Sequence, residues 1–82
     1  MDKLTTATGR EFQTDYLVTI ARPAMMFVRI LGSDAATVNE VFRNPEETAR
    51  LTYAGVEYDG FTKFVSVTDE GDALKVGLEK VE

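Results

Sequence analysis

The chain has no cysteine and no histidine. The first absence excludes disulfides, and the two together leave a zinc site without its usual thiolate and imidazole ligands. They also remove the commonest general base, every cysteine nucleophile and the serine–histidine–aspartate arrangement. Clustered Lys and Arg are lacking as well. From Leu51 onward there are seven acidic and three basic residues, against seven and six before it, for a net charge of -5. That balance argues against nucleic acid and anionic membranes as partners. Long apolar runs are missing: the longest, Ala24 to Val28, is far too short to span a bilayer. The opening Met1-Asp2-Lys3-Leu4-Thr5-Thr6 lacks the apolar core of a signal peptide, so a cytoplasmic product is expected. The six glycines stand singly and build no phosphate cradle.

What remains is a chain of 82 residues, enough for one domain, 1–82, with one modest core. A domain of this size buries roughly 60–65% of its unfolded surface and is marginal alone. With disulfides and metals set aside, association is the expected source of further stability.

The clearest pattern lies near the end. Phe61 to Thr68 is rich in β-branched and aromatic residues, Asp69-Glu70-Gly71-Asp72 is a tight acidic turn, and Ala73 to Lys80 alternates. Leu74, Val76 and Leu78 fall on one face of that last strand, Lys75, Gly77 and Glu79 on the other. At the start, Lys3 to Gln13 around Thr8-Gly9 reads as a first hairpin. Tyr16 to Ala21 follows, with Tyr16, Val18 and Ile20 on one face, and Arg22-Pro23 breaks it. Met25 to Leu31 is apolar on both faces, which requires cover on both sides.

Gly32-Ser33-Asp34 then stops the strand, and Ser33 or Asp34 can cap a helix of about ten residues with Ala35, Val38, Val41 and Phe42 at helical spacing. Asn44-Pro45-Glu46-Glu47 is a second helix start, Glu47 completing a capping box on a single turn. Thr48 to Tyr53 turns strand-like, Ala54-Gly55 permits a turn into Val56-Glu57-Tyr58, and Asp59-Gly60 bulges or turns into the final hairpin. The fold class is α+β. An antiparallel sheet or partial barrel of about five to six strands carries one short helix, in the order β-β-β-α-β-β-β.

Candidate chemistry is sparse. The acidic turn lacks the ligand spacing and closing Glu of a calcium loop and reads as a solvated hairpin tip. Asp15 beside Tyr16, and Glu57 near Asp59, offer carboxylates but no defined cleft. No enzyme and no cofactor are expected. The aromatic residues lack the interleaved cations of a single-strand binding surface. Met25, Phe27, Tyr53, Tyr58, Phe61 and Phe64 are the candidates for a protein interface, the alternative being that they fill the core.

Three stretches carry a family likeness: Val41-Phe42-Arg43-Asn44-Pro45-Glu46-Glu47-Thr48-Ala49-Arg50-Leu51, then Tyr58-Asp59-Gly60-Phe61-Thr62-Lys63-Phe64-Val65-Ser66-Val67, then Leu74-Lys75-Val76-Gly77-Leu78-Glu79-Lys80. Together with the Thr8-Gly9-Arg10 hairpin, they resemble small proteins encoded in prophages of Gram-positive bacteria. In that group a Pro-Glu-Thr turn, a tyrosine-glycine-aromatic-threonine-like step and a terminal alternating strand follow in this order. Phe61 stands where Tyr is commoner. The likeness covers about two-thirds of the chain, and its motifs are structural, with no catalytic or ligand residue to carry over. It implies a phage structural or assembly role in a tail or baseplate, and a place in the bacterial cytoplasm or on the virion. The expected partner is protein: the chain itself or a larger virion component. The alternative is a monomeric acidic adaptor or inhibitor that binds a basic protein.

Overall fold

In a computed structural model describing residues 2–22 and 24–81, three antiparallel strands open the chain: β1 (Asp2–Thr5), β2 (Glu11–Ile20) and β3 (Met25–Leu31). Gly9, at φ +93°, closes the β1–β2 loop. There the Thr6 amide donates to the Arg10 carbonyl (2.8 Å) and the Gly9 amide to the Thr6 carbonyl (3.0 Å). Pro23, assigned above to the strand break, lies outside the described residues.

Two short helices follow. Asp34 caps α1 (Ala35–Phe42), its carboxylate accepting from the Thr37 amide at 2.7 Å. Asn44 caps α2 (Pro45–Thr48) by accepting from the Glu46 amide at 3.0 Å. Eight residues in α1 cannot hold a helix in water. Burial of Val38, Val41 and Phe42 against the sheet supplies the stability, with the Phe42 ring 5.4 Å from that of Phe12. The capping box does not form as expected. The Asn44 amide bonds the Val41 carbonyl, and the Glu47 side chain turns away to the β1–β2 loop.

Four strands complete the chain: β4 (Arg50–Tyr53), β5 (Val56–Asp59), β6 (Lys63–Asp69) and β7 (Ala73–Glu79). The sheet therefore has seven strands rather than five to six, and four of them rather than three follow the helices. The Ala54-Gly55 turn makes a separate β4–β5 hairpin ahead of the final one, with both turn residues at positive φ. Pairing is antiparallel throughout, in the order β5-β4-β1-β2-β3-β7-β6.

That order has a geometric consequence. The two edges, β5 and β6, are consecutive in the chain and joined only by Gly60–Thr62. Laid flat, six inter-strand steps would separate them by about 29 Å. The link reaches at most about 14 Å. The sheet must curl until its edges approach. Gly60, at φ +84°, ties them: its amide donates to the Ala49 carbonyl (3.1 Å), and its carbonyl accepts from the Thr62 (2.9 Å) and Val81 (3.0 Å) amides.

The concave side is the core. Leu4, Met26, Val28, Ile30, Val38, Leu51, Val76 and Leu78 are fully enclosed there, with Phe12, Phe61 and Leu74 nearly so. The alternation of Leu74, Val76 and Leu78 places those three inward as expected.

Candidate functional site

A register shift in β2 decides what the convex face presents. Phe12 and Thr14 point inward and are buried; between Thr14 and Leu17 the pairing with β3 slips. Beyond the slip Leu17 stands opposite the enclosed Val28, and Val18 opposite Phe27. A bulge of one residue exchanges the two faces of everything after it. Without it, Tyr16, Val18 and Ile20 would continue the inward face begun by Phe12. With it, Val18 and Ile20 face outward, 45% and 43% exposed.

Their neighbours on β3 complete a patch. Ile20 stands opposite Met25 and Val18 opposite Phe27, so four apolar side chains form a two-by-two cluster on the convex face. Met25 and Phe27 are half-buried. The next strand keeps the cluster open, because Gly77 of β7 stands opposite Phe27 and has no side chain to cover it. A Cβ at Gly77 would lie 3.2 Å from Phe27 Cε1 and 3.1 Å from Ser66 Oγ, so the ring lies over the glycine. Lys75 adds its ammonium, with Nζ 5.2 Å from the Phe27 centroid.

The other candidate residues lie elsewhere. Phe61, only 8% exposed, belongs to the core, and Tyr53, Tyr58 and Phe64 pack against it from its margin. Arg43 covers the Phe64 ring, with Cζ 4.2 Å from the centroid. Burial above all, with Asp2, Asp15 and Tyr58 nearby, pushes the Tyr53 phenol above its ordinary pKa, so it stays protonated at neutral pH and supplies no base. Of the six candidates, Met25 and Phe27 alone share the convex patch.

Charge is divided between the two ends of the β6–β7 hairpin. At the end where β6 starts and β7 finishes, a groove of about 580 Å³ is lined by Arg22, Lys63, Lys80, Glu79 and Val81, with Ala21 and Ala24 behind. Lys63 reaches Glu79 at 3.5 Å. At the turn end, the Arg29 guanidinium gathers Asp15 (2.7 Å), Glu70 (3.0 Å) and Asp72 (3.3 Å) and lies 5.8 Å from the Tyr16 centroid. Asp34, Asp69 and Asp72 line a second hollow beside it. Backbone donation from Thr37, ahead of other causes, holds the Asp34 carboxyl below its ordinary pKa. Among the described residues no group of three or more His, Cys, Asp or Glu side chains converges to hold a metal ion.

A second charged cluster, on the opposite side of β2, is one that periodicity does not reveal. Glu47, 6% exposed, accepts from the Thr6 hydroxyl (2.8 Å), the Thr8 hydroxyl and Arg10 Nε (3.0 Å). Its backbone carbonyl takes the Ala7 amide at 3.0 Å. Donation from Thr8 first, then Thr6 and the Arg10 charge, holds its carboxyl below the ordinary pKa against the opposing effect of burial. The cluster is a latch between the β1–β2 loop and α2. Its three donors all converge on the one Glu47 carboxylate.

No helix among the described residues is long and apolar enough to cross a membrane. Comparison with protein-family models, curated proteins and solved structures gives no match.

Proposed function

We propose that the protein is a small phage-type structural or assembly module, a curled sheet or partial barrel that works through protein–protein contacts. The observation that carries this reading is the convex patch of Val18, Ile20, Met25 and Phe27, presented outward by the β2 bulge and left uncovered by Gly77. A small domain gains from covering such a face, and the contact is either with another copy or with a tail or baseplate component. The tail or baseplate setting comes from the sequence likeness alone. The mechanism is docking rather than chemistry: the rigid core fixes four apolar side chains on neighbouring strands, and the partner removes them from water. The five carboxylates around the β6–β7 turn favour a second reading, an acidic adaptor whose basic partner is a different protein.

Absolute mass by light scattering behind size exclusion, across a concentration series at low and high salt, tests the first reading. A discrete oligomer that persists in salt is expected, because apolar burial is not screened. Phe27→Ser is expected to return folded monomers. A wild-type protein that stays monomeric at every concentration and in both salts overturns self-association.

A further inference from the structure

We infer that copies of this chain also join end to end, the acidic β6–β7 turn of one seating in the cationic groove of the next. This rests on reading the protein as a self-associating module, and adds to the apolar patch a second, directional contact.

The cations of the chain are unevenly partnered. Lys3, Arg10, Arg29 and Lys63 have carboxylate partners, and Arg43 and Lys75 lie over aromatic rings. Among the described residues that leaves Arg22, Arg50 and Lys80 with neither. Arg22 and Lys80 both line the groove beside Lys63, and among the described residues the one carboxylate lining it is Glu79. This concentrates cations on a chain whose net charge is -5. The opposite imbalance stands at the other end: Asp15, Glu70 and Asp72 share the guanidinium of Arg29, and Asp34 and Asp69 line the hollow beside them without a cationic partner among the described residues.

Placement turns this complementarity into a contact. The groove includes Lys63 and Glu79, the first residue of β6 and the last of β7; the acidic turn follows Asp69, the last residue of β6. The two surfaces thus terminate one hairpin, about 20 Å apart along the strands. They cannot meet within one molecule. The turn is also tight, closed by the Glu70 amide on the Ala73 carbonyl (2.8 Å) and the Gly71 amide on the Asp69 carboxylate (2.8 Å). A groove of about 580 Å³ has room for such a tip. A contact between different surfaces of identical molecules repeats, giving a ring if the rotation closes and a filament if it does not. An isologous pairing of either surface would set like charges together.

The test uses the full chain and charge exchange. Arg22→Glu/Lys80→Glu reverses the groove, and Glu70→Lys/Asp72→Lys reverses the turn. All four residues are exposed or at the rim, and thermal melting checks that each variant stays folded. The neutral pair Arg22→Gln/Lys80→Gln stands in should a reversal variant fail to fold. At about 50 mM salt the wild-type mass is expected to grow with concentration beyond the salt-resistant species, and to fall back to it near 500 mM. Each reversal variant is expected to lose this growth, associating at least ~10-fold more weakly, and an equimolar mixture of the two to regain it, since each then offers the other a complementary surface. A salt-resistant oligomer that does not grow at low salt overturns the end-to-end contact and leaves the apolar-patch reading standing. Wild-type-like growth in both reversal variants, or no recovery on mixing, overturns it too. A monomer under all conditions overturns both.

Discussion

Glu47 and Arg29 each draw together three partners of opposite or complementary character, yet they do different work. Glu47 is buried and its partners are two hydroxyls and a guanidinium, all aimed at one carboxylate. Arg29 lies on the convex face with a quarter of its side chain exposed, and its acidic partners are exposed from 34% to 84%. In the first cluster the carboxylate and the Thr6 hydroxyl are closed off from water, so removing the carboxylate leaves Thr6 with nowhere to turn, although Thr8 and Arg10, the latter 53% exposed, can turn to solvent. In the second, the carboxylates are open to water and salt ions, which can replace a lost partner everywhere except at the enclosed Arg29 Nε. The lesson is that partner number says little about stability; what matters is whether solvent can take the partner's place.

The largest effect that would test this contrast is Glu47→Ala. It removes charge-assisted bonds at a buried site and leaves the Thr6 hydroxyl proton without its acceptor, while its oxygen keeps the Arg10 amide, with an expected loss of about 3 kcal/mol. For a domain of 60–100 residues that lowers the melting temperature by roughly 12–24 °C. Glu47→Gln keeps the acceptor oxygen while losing the charge, and about half that loss is expected. Thermal or urea unfolding measures both. If alanine costs no more than glutamine, the latch is not held by its carboxylate.

A pH series sharpens the same point. Glu47 has its folded-state pKa below the ordinary carboxylate value, with Thr8 the leading cause. A depressed carboxylate gives stability that is fully present above its unfolded pKa, near ~4.3, and lost as pH falls through the folded value. The stability difference between wild type and Glu47→Gln should therefore be constant near neutrality and shrink in acid below about pH 4. A gap that stays constant to pH 2 would remove ionisation from the account.

These two clusters were not equally legible in the sequence. The alternation of Leu74, Val76 and Leu78, the Asp34 cap and the Pro45 helix start all announce themselves locally, because each depends on residues within one turn or one strand. Glu47 sits three positions after Asn44, where a local capping box is the ordinary reading; its real partners are 37 to 41 residues away. The convex patch was harder still. Phe12, Val18 and Ile20 all fall on even positions, so the sequence continues one face without a break while the β2 bulge sends them to opposite sides. No residue type around Asp15 and Tyr16 marks that bulge; pairing with β3 creates it. The same holds for the curled shape, which follows from β5 and β6 being edge strands joined by a short link, a matter of strand order rather than composition.

The smallest effect completes the contrast. Arg29→Met keeps an unbranched apolar stem against the sheet and removes the guanidinium, so the ion pairs to Asp15, Glu70 and Asp72 and the contact with Tyr16 all disappear together. Exposed pairs are typically worth 0.2–1 kcal/mol, and an exposed cation–π contact adds about as much, so a loss of roughly 1 kcal/mol at low salt is expected. Part of it is repulsion among three carboxylates deprived of their shared cation, a term that salt screens. The penalty should therefore shrink toward nothing near 0.5 M salt, while that of Glu47→Ala, which arises mainly at the buried Thr6 and loses only its Arg10 part to screening, should change much less. Urea unfolding of the two variants at both salt concentrations is the measurement. A salt-independent Arg29→Met loss as large as that of Glu47→Ala would mean that the convex network is held away from solvent despite its exposure, and the distinction between the two clusters would fall.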